Sequence, residues 1–128
     1  MKKILIADDS VFMRKILKNT LSGEKNYEIV EADSGATTLE QFKKEKPDLT
    51  LLDIIMPEGE EAGLKVLETL KKNDPQTRVI MITAVGQDAI IEKCKKLGAT
   101  DYIVKPFDEK QIVKTVERCL SEPVAYSR

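Results

Sequence analysis

Short apolar runs recur along the chain, separated by longer stretches in which apolar residues return at a helical period. The runs at 3–7, 27–32, 78–83 and 101–104, and the run from 49 to 57 with a single carboxylate, Asp53, inside it, read as buried strands. Between them lie five amphipathic stretches. The first opens at Asp8-Asp9-Ser10, with Ser10 or Asp9 as its N-cap, carries Phe12, Met13, Ile16, Leu17 and Leu21 on one side, and ends at Gly23. The second covers 35–45 with Leu39 and Phe42 facing inward, and the third 62–72. The fourth, 88–97, carries Ile90, Ile91, Cys94 and Leu97 and stops at Gly98, a residue suited to a left-handed cap. The last carries Ile112, Val113, Val116, Cys119 and Leu120, and Pro123 prevents it from continuing far.

Strands that alternate with helices through short connections predict an α/β fold: a doubly wound five-stranded parallel sheet covered by five helices. The flavodoxin-like order 2-1-3-4-5 makes the first and third strands neighbours at the topological switch point, where ligands of such sheets bind. Residues 1–121 are expected to form one domain, with 122–128 a short tail.

Composition narrows the function classes. With 128 residues, 41% hydrophobic and 34% charged, the chain suits a soluble globular domain, and 22 acidic against 21 basic residues leave a net charge of −1. Nucleic acid and membrane are not expected partners: the lysine clusters at 43–46 and 93–96 are interleaved with glutamates as solvated helix faces are. Cys94 and Cys119 fall on apolar stripes and read as small core hydrophobes. With no histidine, a zinc site has almost no ligands to draw on. A reducing cytoplasm is the expected compartment, since the N-terminal apolar run is too short for a leader and ends at Asp8 and Asp9.

The candidate chemistry lies where strands end. In the expected topology Asp8, Asp9, Asp53, Thr83 and Lys105 all reach one edge of the sheet. Two ionised carboxylates 4 Å apart repel by about 4 kcal/mol at an effective dielectric near 20, so three of them invite a cation. Oxygen ligands without thiol or imidazole favour Mg²⁺, which completes its shell with water and phosphate oxygens. Lys105 and the Thr83 hydroxyl could meet a phosphoryl group, and Asp53 could act as the nucleophile that forms an aspartyl phosphate. Taken singly, each residue has an ordinary reading: a helix cap for Asp8 or Asp9, a β-branched strand residue for Thr83, a surface ion pair for Lys105.

The segments Ile6-Ala7-Asp8-Asp9-Ser10, Leu51-Leu52-Asp53-Ile54-Ile55-Met56-Pro57, Ile82-Thr83-Ala84 and Asp101-Tyr102-Ile103-Val104-Lys105-Pro106-Phe107, in this order and at these intervals, resemble the response regulator receiver domain. The resemblance covers residues 3 to about 121. It implies that Asp53 is the phosphoacceptor. Asp9, Asp53 and the backbone carbonyl of Ile55 would be direct ligands of Mg²⁺, and Asp8 would bind it through water. Thr83 becomes the switch hydroxyl, Lys105 the phosphoryl-binding lysine and Tyr102 the switch aromatic, and Lys105-Pro106 matches a bond that is usually cis. The segments Phe12-Met13-Arg14 and Val85-Gly86-Gln87 lean toward the chemotaxis regulators.

The implied function is a phosphorylation-dependent switch of a two-component system. A sensor histidine kinase or phosphotransfer protein would supply the phosphoryl group, and a downstream protein target would read the result. The expected protein is a phosphoacceptor regulator rather than an enzyme, one that assists its own phosphorylation and dephosphorylation, and a monomer with phosphorylation-dependent dimerisation as the variant. The alternative is a receiver domain excised from a longer regulator. A phosphohydrolase would ordinarily carry its nucleophile in an Asp-x-Asp after an early strand, and a flavin binder would need a phosphate-cradling loop where Asp8 and Asp9 stand. A receiver fold used only for docking would not need the complete acid set.

One departure stands out. The family often continues from Met-Pro into a Met-Asp-Gly turn, whereas here Glu58-Gly59-Glu60-Glu61-Ala62-Gly63 follows Pro57 and the matching glycine comes two residues late. Two readings of the added acids are open: they favour the dipole of the third helix, or they border the metal pocket and attract the cation.

Overall fold

The computed structural model describes residues 1–23, 26–84 and 86–121. Its elements, in chain order, are β1 (Lys3–Ala7), α1 (Val11–Ser22), β2 (Glu28–Ala32), α2 (Gly35–Glu45), β3 (Leu49–Leu52), α3 (Ala62–Asn73), β4 (Arg78–Thr83), α4 (Asp88–Lys96), β5 (Asp101–Val104) and α5 (Glu109–Ser121). The strands form one parallel sheet in the order β2-β1-β3-β4-β5, as expected. Among the described residues no helix is long and apolar enough to cross a membrane. The tail 122–128, Pro123 and Val85 lie outside the described residues.

Side chains alternate between the two faces of each strand. On one face Leu5, Ala7, Leu52, Val79 and Met81 pack with Leu67 and Leu70 of α3 and Cys94 of α4. On the other, Ile4, Ile6, Leu49, Leu51, Ile80, Ile82 and Ile103 pack with Leu17 and Leu21 of α1 and with Ile112, Val116 and Cys119 of α5. Continuous apolar runs therefore arise because both faces are covered. Each fully buried leucine or isoleucine contributes about 1.5 to 3 kcal/mol. Both cysteines are buried and free, in keeping with core packing.

Helix boundaries follow local chemistry. The Ser10 hydroxyl, rather than the Asp9 carboxylate, caps α1 by accepting the Met13 N–H at 3.1 Å. Ser34 and Thr37 form a reciprocal capping box on α2. Gly98, with φ +92°, follows α4 in the backbone region that disfavours other residues.

The expected apolar stripe of α1 needs one correction. Leu17 and Leu21 are buried and Met13 is half-buried, but Phe12 is 71% exposed and its neighbour Val11 70%. They lie in the first turn, beyond the edge of the sheet, where no strand remains to cover them. The apolar run from 49 to 57 likewise continues past the strand it begins: β3 ends at Leu52, and Asp53 is the first residue beyond it.

Candidate functional site

Three ladder-type hydrogen bonds extend the sheet by one residue and set the acids in place. The Asp8 N–H donates to the Ala32 carbonyl at 3.0 Å, and the Asp53 N–H donates to the Ala7 carbonyl at 3.0 Å. The Lys105 N–H donates to the Thr83 carbonyl at 2.7 Å, and the Lys105-Pro106 peptide that follows is cis. Because β1 and β3 are neighbours, Asp8 and Asp53 emerge side by side. Thr83 ends β4 on the far side of β3 and is fully buried.

The side chains converge. Lys105 Nζ lies 3.0 Å from Asp8 Oδ2 and 3.4 Å from Asp53 Oδ2, while Asp8 Oδ1 accepts the Ser10 N–H at 2.9 Å. Carboxylate oxygens of Asp8, Asp9 and Asp53 all lie within 4.8 Å of one another, the single such acidic group among the described residues. Asp8 and Asp53 are buried, and Asp9 is exposed at the mouth.

Burial pushes the Asp53 carboxyl up to about 6, opposed by the Lys105 charge and reinforced by that of Asp8; the Lys105 ammonium and the Ile55 N–H hold it back through hydrogen bonds. One lysine faces three carboxylates, so negative charge is left over in a poorly solvated place. The donors fit a hard divalent ion that takes oxygen ligands and keeps part of its water, since two acids are fixed and the third opens to solvent. No thiol or imidazole competes.

Arg14, noted in the sequence only within Phe12-Met13-Arg14, adds a support whose role residue types did not announce. Its Nη1 donates to the Asp8 carbonyl at 2.7 Å and its Nε to Glu31 Oε1 at 3.0 Å, so α1 clamps the backbone of the acid pair to the end of β2. An arginine four residues after the capping serine, one turn into the helix, is the pattern that could have drawn attention to it.

The lengthened loop has a defined shape. Met56 and Gly59 exchange backbone hydrogen bonds (3.2 and 2.9 Å), closing a two-residue turn over Pro57 and Glu58. Glu58 makes its hydrogen bonds to the second helix. Its carboxylate accepts the N–H groups of Gly35 and Ala36, both at 2.9 Å, at the start of α2, and these bonds hold its carboxyl below the usual range. Glu61 precedes α3 without capping it and pairs with Lys93 at 3.4 Å.

Gly63, the glycine that comes two residues late, stands where only a glycine fits. Its N–H donates to the Ile54 carbonyl at 2.7 Å, and any Cβ there would collide with the Asp53 carbonyl oxygen and the Ile54 Cα.

Farther from the acids, Tyr102 in β5 is half-buried beside the α3–α4 core, and the Lys95 ammonium stands 6.0 Å from its ring centroid. Asp101, the residue before it, pairs with Arg118 of α5. Ile55, next to the acids, is 42% exposed.

Comparison with known proteins agrees with this geometry. The family model described as the response regulator receiver domain matches residues 4–117. The chain is 38% identical over 120 residues to the chemotaxis protein CheY of Bacillus subtilis, covering 93% of this chain and 98% of that one. Among solved structures it resembles the CheX-CheY-BeF3-Mg²⁺ complex from Borrelia burgdorferi with a TM-score of 0.88 and 32% identity, covering 94% of this chain and 90% of that one. NtrX from Brucella abortus matches with a TM-score of 0.85 and 31% identity over 93% of this chain, which spans 27% of the NtrX chain.

Proposed function

This chain belongs to the response regulator receiver domain family, the phosphoacceptor switches of two-component signalling, and we propose that Asp53 is its acceptor. The kinship to CheY makes it a chemotaxis-like receiver. The observation that carries the assignment is the burial of Asp53 between a second carboxylate and the Lys105 ammonium at the switch point of the sheet.

In this reading a phosphohistidine on a sensor kinase or phosphotransfer protein is the donor. An Asp53 carboxylate oxygen attacks phosphorus in line, the new O–P bond forms as the P–N bond breaks, and the leaving imidazole nitrogen keeps the electron pair. The Lys105 ammonium, already 3.4 Å from Asp53, turns to a phosphoryl oxygen and stabilises the charge that develops there. Asp9, Asp53 and the Ile55 carbonyl would hold Mg²⁺ directly, and Asp8 through water. When bound, the ion supplies neutralisation of the phosphoryl oxygens. Asp8 and Asp9 also keep negative charge at the pocket, so that an anion enters only with its cation. The same residues would let water reach the acyl phosphate, so the domain assists its own phosphorylation and dephosphorylation without turning over an external substrate.

The Thr83 hydroxyl, one strand away, would donate to the bound phosphoryl group. Hydrogen bonds to a charged group contribute about 1.5 to 3 kcal/mol each. Two of them, from Thr83 and Lys105, approach the roughly 5.5 kcal/mol that inverts a 1:99 equilibrium. Tyr102 would then turn inward, away from Lys95, and change the β5 surface offered to a downstream protein. The protein acts as a monomer in this reading.

Incubation with Mg²⁺ and a small acyl phosphate should produce an acid-stable, base-labile phosphoryl adduct that maps to Asp53, is absent in Asp53→Asn and stops on chelation. An adduct undiminished in that variant would overturn the assignment. Thr83→Ala should still accept the group, with Tyr102 resonances that no longer shift on phosphorylation.

A further inference from the structure

The turn at 56–59 raises a question that the acids alone do not answer: what holds the backbone of Ile55 in place. Between Asp53 and α3 the main chain is held at its two ends, by the Asp53 N–H on Ala7 and by the Gly63 N–H on Ile54. The Met56–Gly59 pair closes the turn upon itself, the Ala62 N–H at the start of α3 donates to the Gly59 carbonyl at 3.3 Å, and the Met56 side chain is buried in the core. The bonds that tie its tip across to α2 come from the Glu58 carboxylate to Gly35 and Ala36, 23 and 22 residues away.

Helix α2 already carries a complete capping box from Ser34 and Thr37. The Gly35 and Ala36 donors belong to the first turn, where water satisfies N–H groups readily. The bidentate bond therefore does more for the turn than for the helix: it ties the exposed tip of the turn to a second rigid element, three residues from Ile55. Arg14 performs the equivalent task for the opposite wall, through the Asp8 carbonyl.

We propose that Glu58 is a positioning residue for the cation site, one that holds the Ile55 carbonyl in register with Asp9 and Asp53 by anchoring the 56–59 turn to the N-terminus of α2. The inference rests on the assignment of Ile55 and the acids to Mg²⁺ given above. It departs from both readings of the added acids, because Glu58 acts through geometry rather than through the α3 dipole or long-range attraction. Partners that hold a metal-bound group in place commonly change affinity by about 10- to 100-fold when removed.

Magnesium titration by calorimetry on the full chain, with no phosphodonor, tests it in the wild type, Glu58→Ala, Glu58→Gln and Glu60→Gln. Glu60 is exposed on the same loop and serves as the control for charge alone. The expected result is about tenfold weaker binding in Glu58→Ala that persists in 0.5 M salt, where the Debye length is only about 4 Å. Glu58→Gln, which keeps one acceptor oxygen, should recover part of the loss, and Glu60→Gln should match the wild type in high salt. The rate of acyl-phosphate transfer at saturating Mg²⁺ should stay within about threefold of wild type, so that the defect lies in affinity.

Two outcomes overturn the proposal. One is equal weakening in Glu58→Ala and Glu60→Gln that disappears in salt, which makes the effect a field. The other is unchanged affinity with a lower melting temperature, which makes Glu58 a helix cap. A wild-type chain that takes up no Mg²⁺ would instead remove the cation-site assignment itself.

Discussion

The two ends of the sheet hold the same ingredients and use them in opposite ways. At the N-terminal edge Lys3 sits between two acids, its Nζ 3.0 Å from Glu45 and 3.5 Å from Glu28, with its backbone N–H on Asp48 at 2.7 Å. At the C-terminal edge Lys105 sits between Asp8 and Asp53 at 3.0 and 3.4 Å. Distances barely differ, but surroundings do. The two lysines are similarly covered, but the acids around Lys3 stay open to water, Glu28 at 52% and Glu45 at 23% exposure, and they, Glu45 first, raise its pKa. Around Lys105 the acids are buried, and burial raises the Asp53 pKa, against the lysine's pull. A lysine between two carboxylates is thus a surface ornament or a loaded site according to how much water remains.

The sharpest way to break this contrast is to remove each lysine in turn. Lys105→Ala should leave Asp8 and Asp53 buried without a cation and cost about 4 kcal/mol in chelator at pH 8. Millimolar Mg²⁺ should restore much of that loss. Denaturant unfolding with and without Mg²⁺ measures both, and a variant as stable as wild type in chelator would erase the distinction between the edges.

A somewhat smaller effect of opposite sign is expected from Asp53→Asn. The unfolded carboxyl ionises near 3.8 and the folded one near 6, so between those values the folded state binds more protons. Wild-type stability therefore falls as pH rises through this window, and the asparagine variant escapes the fall. Its advantage should be absent below about pH 4, grow between 4 and 6, and reach roughly 2 to 3 kcal/mol above 7 without divalent cation. Melting curves across pH in chelator check the window, and a constant advantage at all pH values would contradict the burial argument.

Lys3→Ala should have the smallest effect. A shift in melting temperature within about 2 °C is expected, and it should vanish in 1 M salt. Because the Lys3 pKa is raised, its contribution is complete below the unfolded value of 10.5 and fades only as pH rises through the higher folded value. A loss that resisted salt would mean that the outer edge is less solvated than its geometry implies.

Much of this was legible without coordinates, for identifiable reasons. A strand covered on both faces has no polar positions to hide it, so β1, β3 and β4 stand out, and an acid such as Asp53 next to one is conspicuous. Strand order then brings Asp8, Asp53, Thr83 and Lys105 to one edge. Phe12 misled because period alone cannot tell where a helix outruns the sheet it packs on. The bond from Glu58 to α2 was hidden for a different reason: its partners are backbone N–H groups, which carry no residue identity, on an element far away in the chain. Arg14 was likewise masked, since its partner is a main-chain carbonyl. Contacts made by side chains to backbone are the ones that residue types do not advertise.

The collision that any side chain at Gly63 would suffer against Asp53 and Ile54 also has a bearing on how this chain drifts over generations. Residues on either side of that contact are fixed in spacing relative to the acceptor, and the turn is held through Glu58 and Gly59, while the exposed Glu60 and Glu61 between them are not so placed. Extra length is absorbed there as an outward turn, so insertion and deletion at this point are nearly neutral and substitution of the glycine is not. A sequence alignment of this chain with its relatives should therefore open its gap ahead of Gly63 and keep that glycine in register with the motif. Counting forward from the proline would displace α3 by more than half a helical turn and turn its apolar face away from the sheet.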